Sequence, residues 1–429
     1  MILRHAAHAD RVVRLGYCLN LRACTDVGTL VALLRSVIEP VRSALGGAQP
    51  FGVGMYVPAS LARTLAAPAG EHELDTLARE LETLGLDPFT WNAFPFGDFG
   101  DEGLKQRVFE PHWAQSERLE YTLDVARIAT ALVRRLNGAS GLATRHVSIS
   151  THTGGWGSTL SEKHREQCAF QLALCADHLA TLEESTGVRV ILALEPEPGA
   201  NAPTQRALTE FAGFVAQRAV PLLQDERNRS SANAQQIVDR HIGACLDACH
   251  SAVEGEADEV ARDLAAHRRA TPAKLQYASA LRVVAPGTNP NGVERLLALD
   301  EPRFLHQVRG HGAREPLAVD DLPDLARELT SERRDLWLSA AEWSCHFHVP
   351  VDLEDVGGAL GTTREDADAI LASLVNDPTG WSVNELHVEI ETYTWEVLPG
   401  WVRGDRAVVE GIEREYRHVL GQLALAGWR

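Results

Sequence analysis

Eight short apolar or β-branched runs punctuate the chain. They are VVRLGYCLN (12–20), FGVGMYV (51–57), PFTWNAFPF (88–96), RHVSIST (145–151), VRVILALEPEP (188–198), HIGACLDAC (241–249), AKLQYASAL (273–281) and ELHVEIETY (385–393). Each has strand length, and several are almost continuously apolar, as strands covered on both faces are. Between them lie stretches such as VGTLVALLRSVIEPVRSAL and EKHREQCAFQLALCADHLATLEEST, whose apolar residues recur every three to four positions, the period of an amphipathic helix. Alternating strand and helix implies parallel strands joined by right-handed crossovers. Eight such units closing on themselves make a (β/α)8 TIM barrel of the α/β class. The stretch 282–384 is too long for one crossover and holds a further extended piece, WSCHFHVP (343–350). We therefore expect an insertion before the last strand, lying over the barrel mouth. An open doubly wound sheet would usually announce itself by a glycine-rich phosphate loop, and neither G-x-G-x-x-G nor G-x-x-x-x-G-K-[ST] is present. The two glycines of FGVGMYV lie inside a strand and read as packing. No sharp linker or low-complexity segment divides residues 1–429, so a single domain is expected.

Composition narrows the partners. The 429 residues are 45% hydrophobic and 23% charged, with a formal charge of −18 and no basic block, which disfavours a nucleic acid partner. The first residues lack an apolar leader core, and no stretch reaches the roughly 20 apolar residues of a membrane span. Seven scattered cysteines, an odd number, do not suggest a disulfide framework. The expectation is a cytoplasmic protein without membrane insertion, acting on a small-molecule metabolite, with a homodimer allowed.

The chemistry of such a barrel collects at the C-terminal ends of its strands. The fifth run places Glu195 directly after five apolar residues. The sixth ends in Asp247, with His250 three residues on. The seventh carries Gln276, and the eighth carries His387, Glu389 and Glu391 at a spacing of two, hence on one side. Mostly hard oxygen donors from four consecutive strand ends suit a divalent ion: Mn, Co, Mg or Fe, or Zn as imidazoles join. The ion would also offset the repulsion of crowded carboxylates. The alternative is that each residue merely caps the helix that follows.

The strings LALEPEPG, CLDACHSAVE, KLQYASALRV, CHFHVP and HVEIETYTWEVLPG, in this order, resemble the EboE family of metabolite traffic proteins, built on the xylose-isomerase-like TIM barrel. GYCLN, FGVGMYV and WNAFPFGDFG extend the resemblance over nearly the whole chain. It implies a metal ligand set of Glu195, Asp247, Gln276 and Glu391, with His250 matching the histidine of a D-x-x-H element that binds metal or substrate. His346 and His348 match an H-x-H element of multi-metal members; their alternative is a surface or hydrogen-bonded pair. Gln276 stands where many members use histidine, and Asn92 where a further histidine would complete a third metal site. Glu391 lies nearer the strand end than Glu389, which reads as the layer below.

Other candidates keep two readings. Lys274 shares the inward face with Gln276, either paired with a carboxylate or available for proton transfer. Arg282 would hold an anionic substrate group or open a solvated helix. Asn92, His152 and Trp156 would line the substrate pocket or pack as core. Three functions follow. The first is metal-assisted proton transfer in an isomerase or epimerase acting on a polyhydroxylated or carbonyl metabolite, with Glu195, Glu391 and His250 as catalytic groups. The second is endonuclease IV-like phosphoester hydrolysis on a small substrate. The third is a non-catalytic metabolite carrier.

Overall fold

The run Val-Ile-Leu-Ala-Leu before Glu195 has apolar residues facing both ways, because one face meets the barrel interior and the other the helices outside. In the computed structural model, which describes all residues except 23, 47–49, 99, 101, 141–145 and 399–407, it becomes strand β6. The strands are β1 (Ile2–Arg4), β2 (Val12–Cys18), β3 (Phe51–Tyr56), β4 (Leu86–Asn92), β5 (His146–His152), β6 (Arg189–Glu195), β7 (Ile242–Asp247), β8 (Lys274–Tyr277), β9 (Ser279–Val284), β10 (Val308–His311), β11 (Leu317–Val319), β12 (Glu342–Val349), β13 (Gly361–Thr362) and β14 (Glu385–Ile390). Strands β2 to β8 and β14 pair in parallel, and contact between β2 and β3 closes the ring. This is the expected eight-stranded parallel barrel, with β1 added antiparallel to β2. No helix among the described residues is long and apolar enough to cross a membrane.

The interior is layered. At the N-terminal end Arg14 is ion-paired with Asp87 and with Glu385 (2.8 Å), beside the stacked rings of His146 and His387. In the middle Lys274 Nζ lies 2.5 Å from Glu389 and donates to Ser150 Oγ (3.1 Å). Gly54 faces this pair: a Cβ there would lie 1.4 Å from Glu389 Oε1, so the second glycine of FGVGMYV makes room for a carboxylate. The C-terminal layer holds Glu195, Asp247 and Glu391.

The seventh run does not stay in the barrel. After Tyr277 the chain leaves it, and β9 enters a separate antiparallel sheet of order β11-β10-β12-β9-β13. The connection between β8 and β14 therefore carries its own sheet, as the length of 282–384 predicts. Within it the register of β12 against β9 shifts between Cys345 and Val349. Such an irregularity re-aims side chains, and here it lies at His346 and His348, directed at the barrel mouth.

The last helix, Val408–Leu425, holds this end of the barrel through Glu415. Its carboxyl accepts from Tyr17 OH (2.7 Å), Thr392 Oγ1 (2.5 Å) and Val351 N (3.2 Å). Burial pushes Glu415 up to about 8. A folded value above the unfolded one gives stability that is full below pH 4.5 and is lost as pH climbs towards 8. Glu415→Gln should therefore flatten the fall in Tm between pH 5.5 and 8.5 by a few degrees, measured by calorimetry. An unchanged slope would show that Glu415 is not the group responsible.

Candidate metal centre

Glu195 ends β6 because its apolar run stops where the barrel opens, and Asp247 ends β7 in the same way. Asp247 also caps the short helix Ala248–Val253, its Oδ1 accepting from His250 N at 3.0 Å. That cap fixes the D-x-x-H spacing in space: one turn later His250 returns to the same mouth. Glu391, just past β14, accepts from the side-chain amides of Asn20 and Asn92, each at 3.2 Å. Glu195, Asp247 and Glu391 each offer an oxygen within 4.8 Å of the other two. Asp247 belongs equally to a second group with His250 and His348. Burial, and then the neighbouring carboxylates, push Glu195 and Glu391 well above the carboxylate range, and burial raises Asp247. Glu195 Oε2 and Asp247 Oδ2 are buried with no hydrogen-bond partner.

The histidines are organised from behind. His250 Nδ1 lies 2.8 Å from Pro196 O, His346 Nδ1 2.6 Å from Gln307 Oε1, and His348 Nδ1 2.8 Å from Glu391 O. These oxygens can only accept, so each Nδ1 carries the proton and each Nε2 presents a lone pair. The amide of Gln307 is itself oriented by donation to Pro198 O (2.8 Å) and Glu197 (3.3 Å). The lone pair of His250 then faces the other two in turn: its Nε2 is 3.1 Å from His346 Nε2 and 3.4 Å from His348 Nε2. Lone pairs at that distance repel unless a proton or a cation lies between them. A proton is opposed by burial, which lowers both His250 and His348 to about 4. A tetrahedral ion with nitrogen bonds near 2.0–2.1 Å separates its ligand atoms by roughly 3.3 Å, close to the two separations measured from His250. The donor set fits a cation at two adjoining positions, one of carboxylates and one of imidazoles, with Asp247 between them.

The expected residues divide between the mouth and other places. Gln276 lies beside Asp247 in the ladder, but its Oε1 accepts from Cys245 Sγ at 2.6 Å and its Nε2 has no partner. Lys274 lies a layer down, against Glu389. Arg282 has left the barrel with β9 and pairs with Asp366 and with Glu342 (3.4 Å). His152 is wedged between the rings of Phe94 and Phe109 (5.1 and 5.6 Å), and Trp156 packs on Phe109 (5.2 Å) in a small apolar cluster with Ala200 and Leu305. Cys249, in the short helix after β7, is buried with its thiol within 4.8 Å of ligand atoms of His346 and His348.

Two residues at the site carry no signal in the sequence reading. Gln307 is 39 positions from the histidine it orients, and only the pairing of β10 with β12 brings that region alongside. Glu197, buried and raised to about 8 by desolvation, faces the same space. Its place in LEPEPG, two residues from Glu195, was the available clue.

Two segments close the mouth. Gly103 N donates to Pro302 O (2.8 Å) and Lys105 N to Arg303 O (3.0 Å), joining the loop after β4 to the insertion. The space beneath, partly open to solvent, is lined by Glu195, Glu197, His250, His346, His348 and Glu391 below, and by largely apolar side chains above.

No family model matches the chain, and no curated protein matches it. Among solved structures, the chain is similar to one described as the IolI protein with a bound zinc atom, at 12% identity and a TM-score of 0.43, covering 96% of this chain and 99% of that one.

Proposed function

We propose that the protein is a divalent-metal enzyme that moves a proton on a small carbonyl- or hydroxyl-bearing metabolite, as an isomerase or epimerase does. The observation that carries this reading is the close approach of the bare His250 nitrogen to those of His346 and His348, beside three crowded carboxylates. Glu195, Asp247 and Glu391, with Gln276 if its amide turns, would hold one ion, and Asp247, His250, His346 and His348 the other. Bound there, metal supplies Lewis acidity that polarises substrate oxygens and acidifies an adjacent C–H or O–H. Glu195, whose Oε2 has no protein partner and whose charge a bound ion would stabilise, would accept that proton. Glu197 holds a proton at neutral pH and faces the same space, placed to return one. Asn20 and Asn92 hold Glu391 in position.

The test has two parts. Elemental analysis of protein expressed with supplemented metals should find about two ions per chain. Incubation with candidate hydroxyketones in D2O should then place deuterium beside the carbonyl, read by mass spectrometry. A chain that stays metal-free after refilling would sink the proposal. Replacing an outer hydrogen-bond partner of a ligating histidine usually weakens metal binding about 10–100-fold. We expect that loss for Gln307→Leu in competition titration with a chromophoric chelator; unchanged affinity would mean that Gln307 does not set His346.

A second reading, phosphoester hydrolysis on a small substrate, is favoured by the imidazole group specifically, since paired ions clamp attacking and leaving oxygens. Turnover of bis(p-nitrophenyl) phosphate without deuterium exchange would select it. The resemblance to the EboE family supports a role in metabolite processing. It also leaves room for a carrier, which ligand binding indifferent to metal would reveal.

A further inference from the structure

The walls above the centre differ in kind from its floor. Phe94, Leu104, Val108, Phe304, Leu305 and Tyr393 line the upper space. Phe304 and Tyr393 meet edge to face at 5.3 Å, and Tyr393 lies against His348 at 4.6 Å, so an aromatic surface reaches down to the imidazoles. Most hydrogen-bonding side-chain groups nearby already have work within the protein, Asn20 Oδ1 being a buried acceptor without a partner. Asn20 and Asn92 both donate to Glu391, and Gln307 serves His346, Glu197 and Pro198. At the rim Lys105 pairs with Asp321 (2.8 Å) and Arg303 with Glu396 (3.1 Å). A polyol lying here would have its metal-bound oxygens satisfied and its remaining hydroxyls set against rings and aliphatic carbons. Each hydroxyl stripped of water without a new partner weakens binding roughly ten- to hundredfold.

We propose that the site selects a ligand with two adjacent oxygen donors, such as an α-hydroxycarbonyl, carried on an apolar ring-sized body rather than on a polyhydroxylated chain. The oxygens meet the metal centre and the body packs between Phe94, Phe304 and Leu305. This rests on the metal reading above for its head group, and on the apolar walls for its body.

Hydroxamates test the two halves separately, since they share one pair of adjacent oxygens. Titration calorimetry would compare benzohydroxamate, acetohydroxamate and D-xylose on metal-loaded protein whose metal content is measured in the same preparation. Benzohydroxamate is expected to bind at least about tenfold tighter than acetohydroxamate, as burial of a phenyl ring implies, with D-xylose weakest. Phe304→Ala should shrink that ratio while metal content stays unchanged. Equal affinity of the two hydroxamates, or tighter binding of D-xylose, on protein shown to hold metal would overturn the inference and leave the metal centre standing. A chain that takes up no metal would overturn both.

Discussion

Asp247→Asn is expected to abolish metal binding while making the metal-free protein more stable. Asp247 stands in both donor groups, so its loss should weaken both ions by more than the roughly 10–100-fold that follows from losing an outer hydrogen-bond partner. Asparagine still accepts at a helix N-terminus as well as aspartate does, so the cap on His250 N survives. The sign in the apo state follows from crowding. Burial raises Asp247 in the fold. A group raised on folding contributes stability at low pH that is lost as pH rises, so at neutral pH the ionised carboxylate opposes folding. Asparagine carries no charge to be stripped of water among Glu195 and Glu391. In wild type a saturating ion reverses the balance, adding about 4 kcal/mol when present at a thousand times its Kd. Thermal unfolding with and without EDTA checks both limbs. If metal still raises Tm in the variant as in wild type, Asp247 is not shared between ions.

Lys274→Met is expected to lower stability by about 3–5 kcal/mol, because it leaves Glu389 as a buried charge without its partner. The pair lies 2.5 Å apart and both side chains are fully enclosed. Methionine matches the length and stem of lysine, so the cost is electrostatic rather than a cavity. Lys274→Met with Glu389→Gln should recover much of the loss, since glutamine has the shape of glutamate and fits the recess that Gly54 leaves. Urea unfolding of the wild type, both single variants and the double variant gives the coupling directly. A single-variant loss below about 1 kcal/mol would show that the ammonium is not needed there. The result bears on function: Lys274 also counters the negative charge of Glu195 and Glu391 above it. It lies a layer below Glu195 and Glu391.

Periodicity and strand-end chemistry made much of this legible. The alternation of apolar runs with helical stretches specifies a barrel because strands buried on both faces cannot be satisfied singly. A carboxylate after each of two apolar runs marks the C-terminal strand end, where the apolar interior gives way to polar side chains. Glu195 and Asp247 follow from that rule, and the two-residue spacing of His346 and His348 puts them on one face. The reading was weaker where distance in sequence hid the partner. Arg282 follows Gln276 by only six residues, yet the chain turns out of the barrel between them, and no local signal marks the turn.

The sequence by itself determined the eight-strand order and the enlarged connection before the last strand, and it placed Glu195 and Asp247 at strand ends. These depend on side-chain period and residue type, which are local properties. The tertiary structure alone decided that His250 presents a bare nitrogen to those of His346 and His348, because a tautomer depends on which carbonyl lies behind the ring. It likewise decided that Lys274 faces Glu389, that Gln307 stands behind His346, and that the walls above the centre are apolar. Each of these is a meeting of segments far apart in the chain, fixed only when the barrel closes and the insertion sheet folds across its mouth.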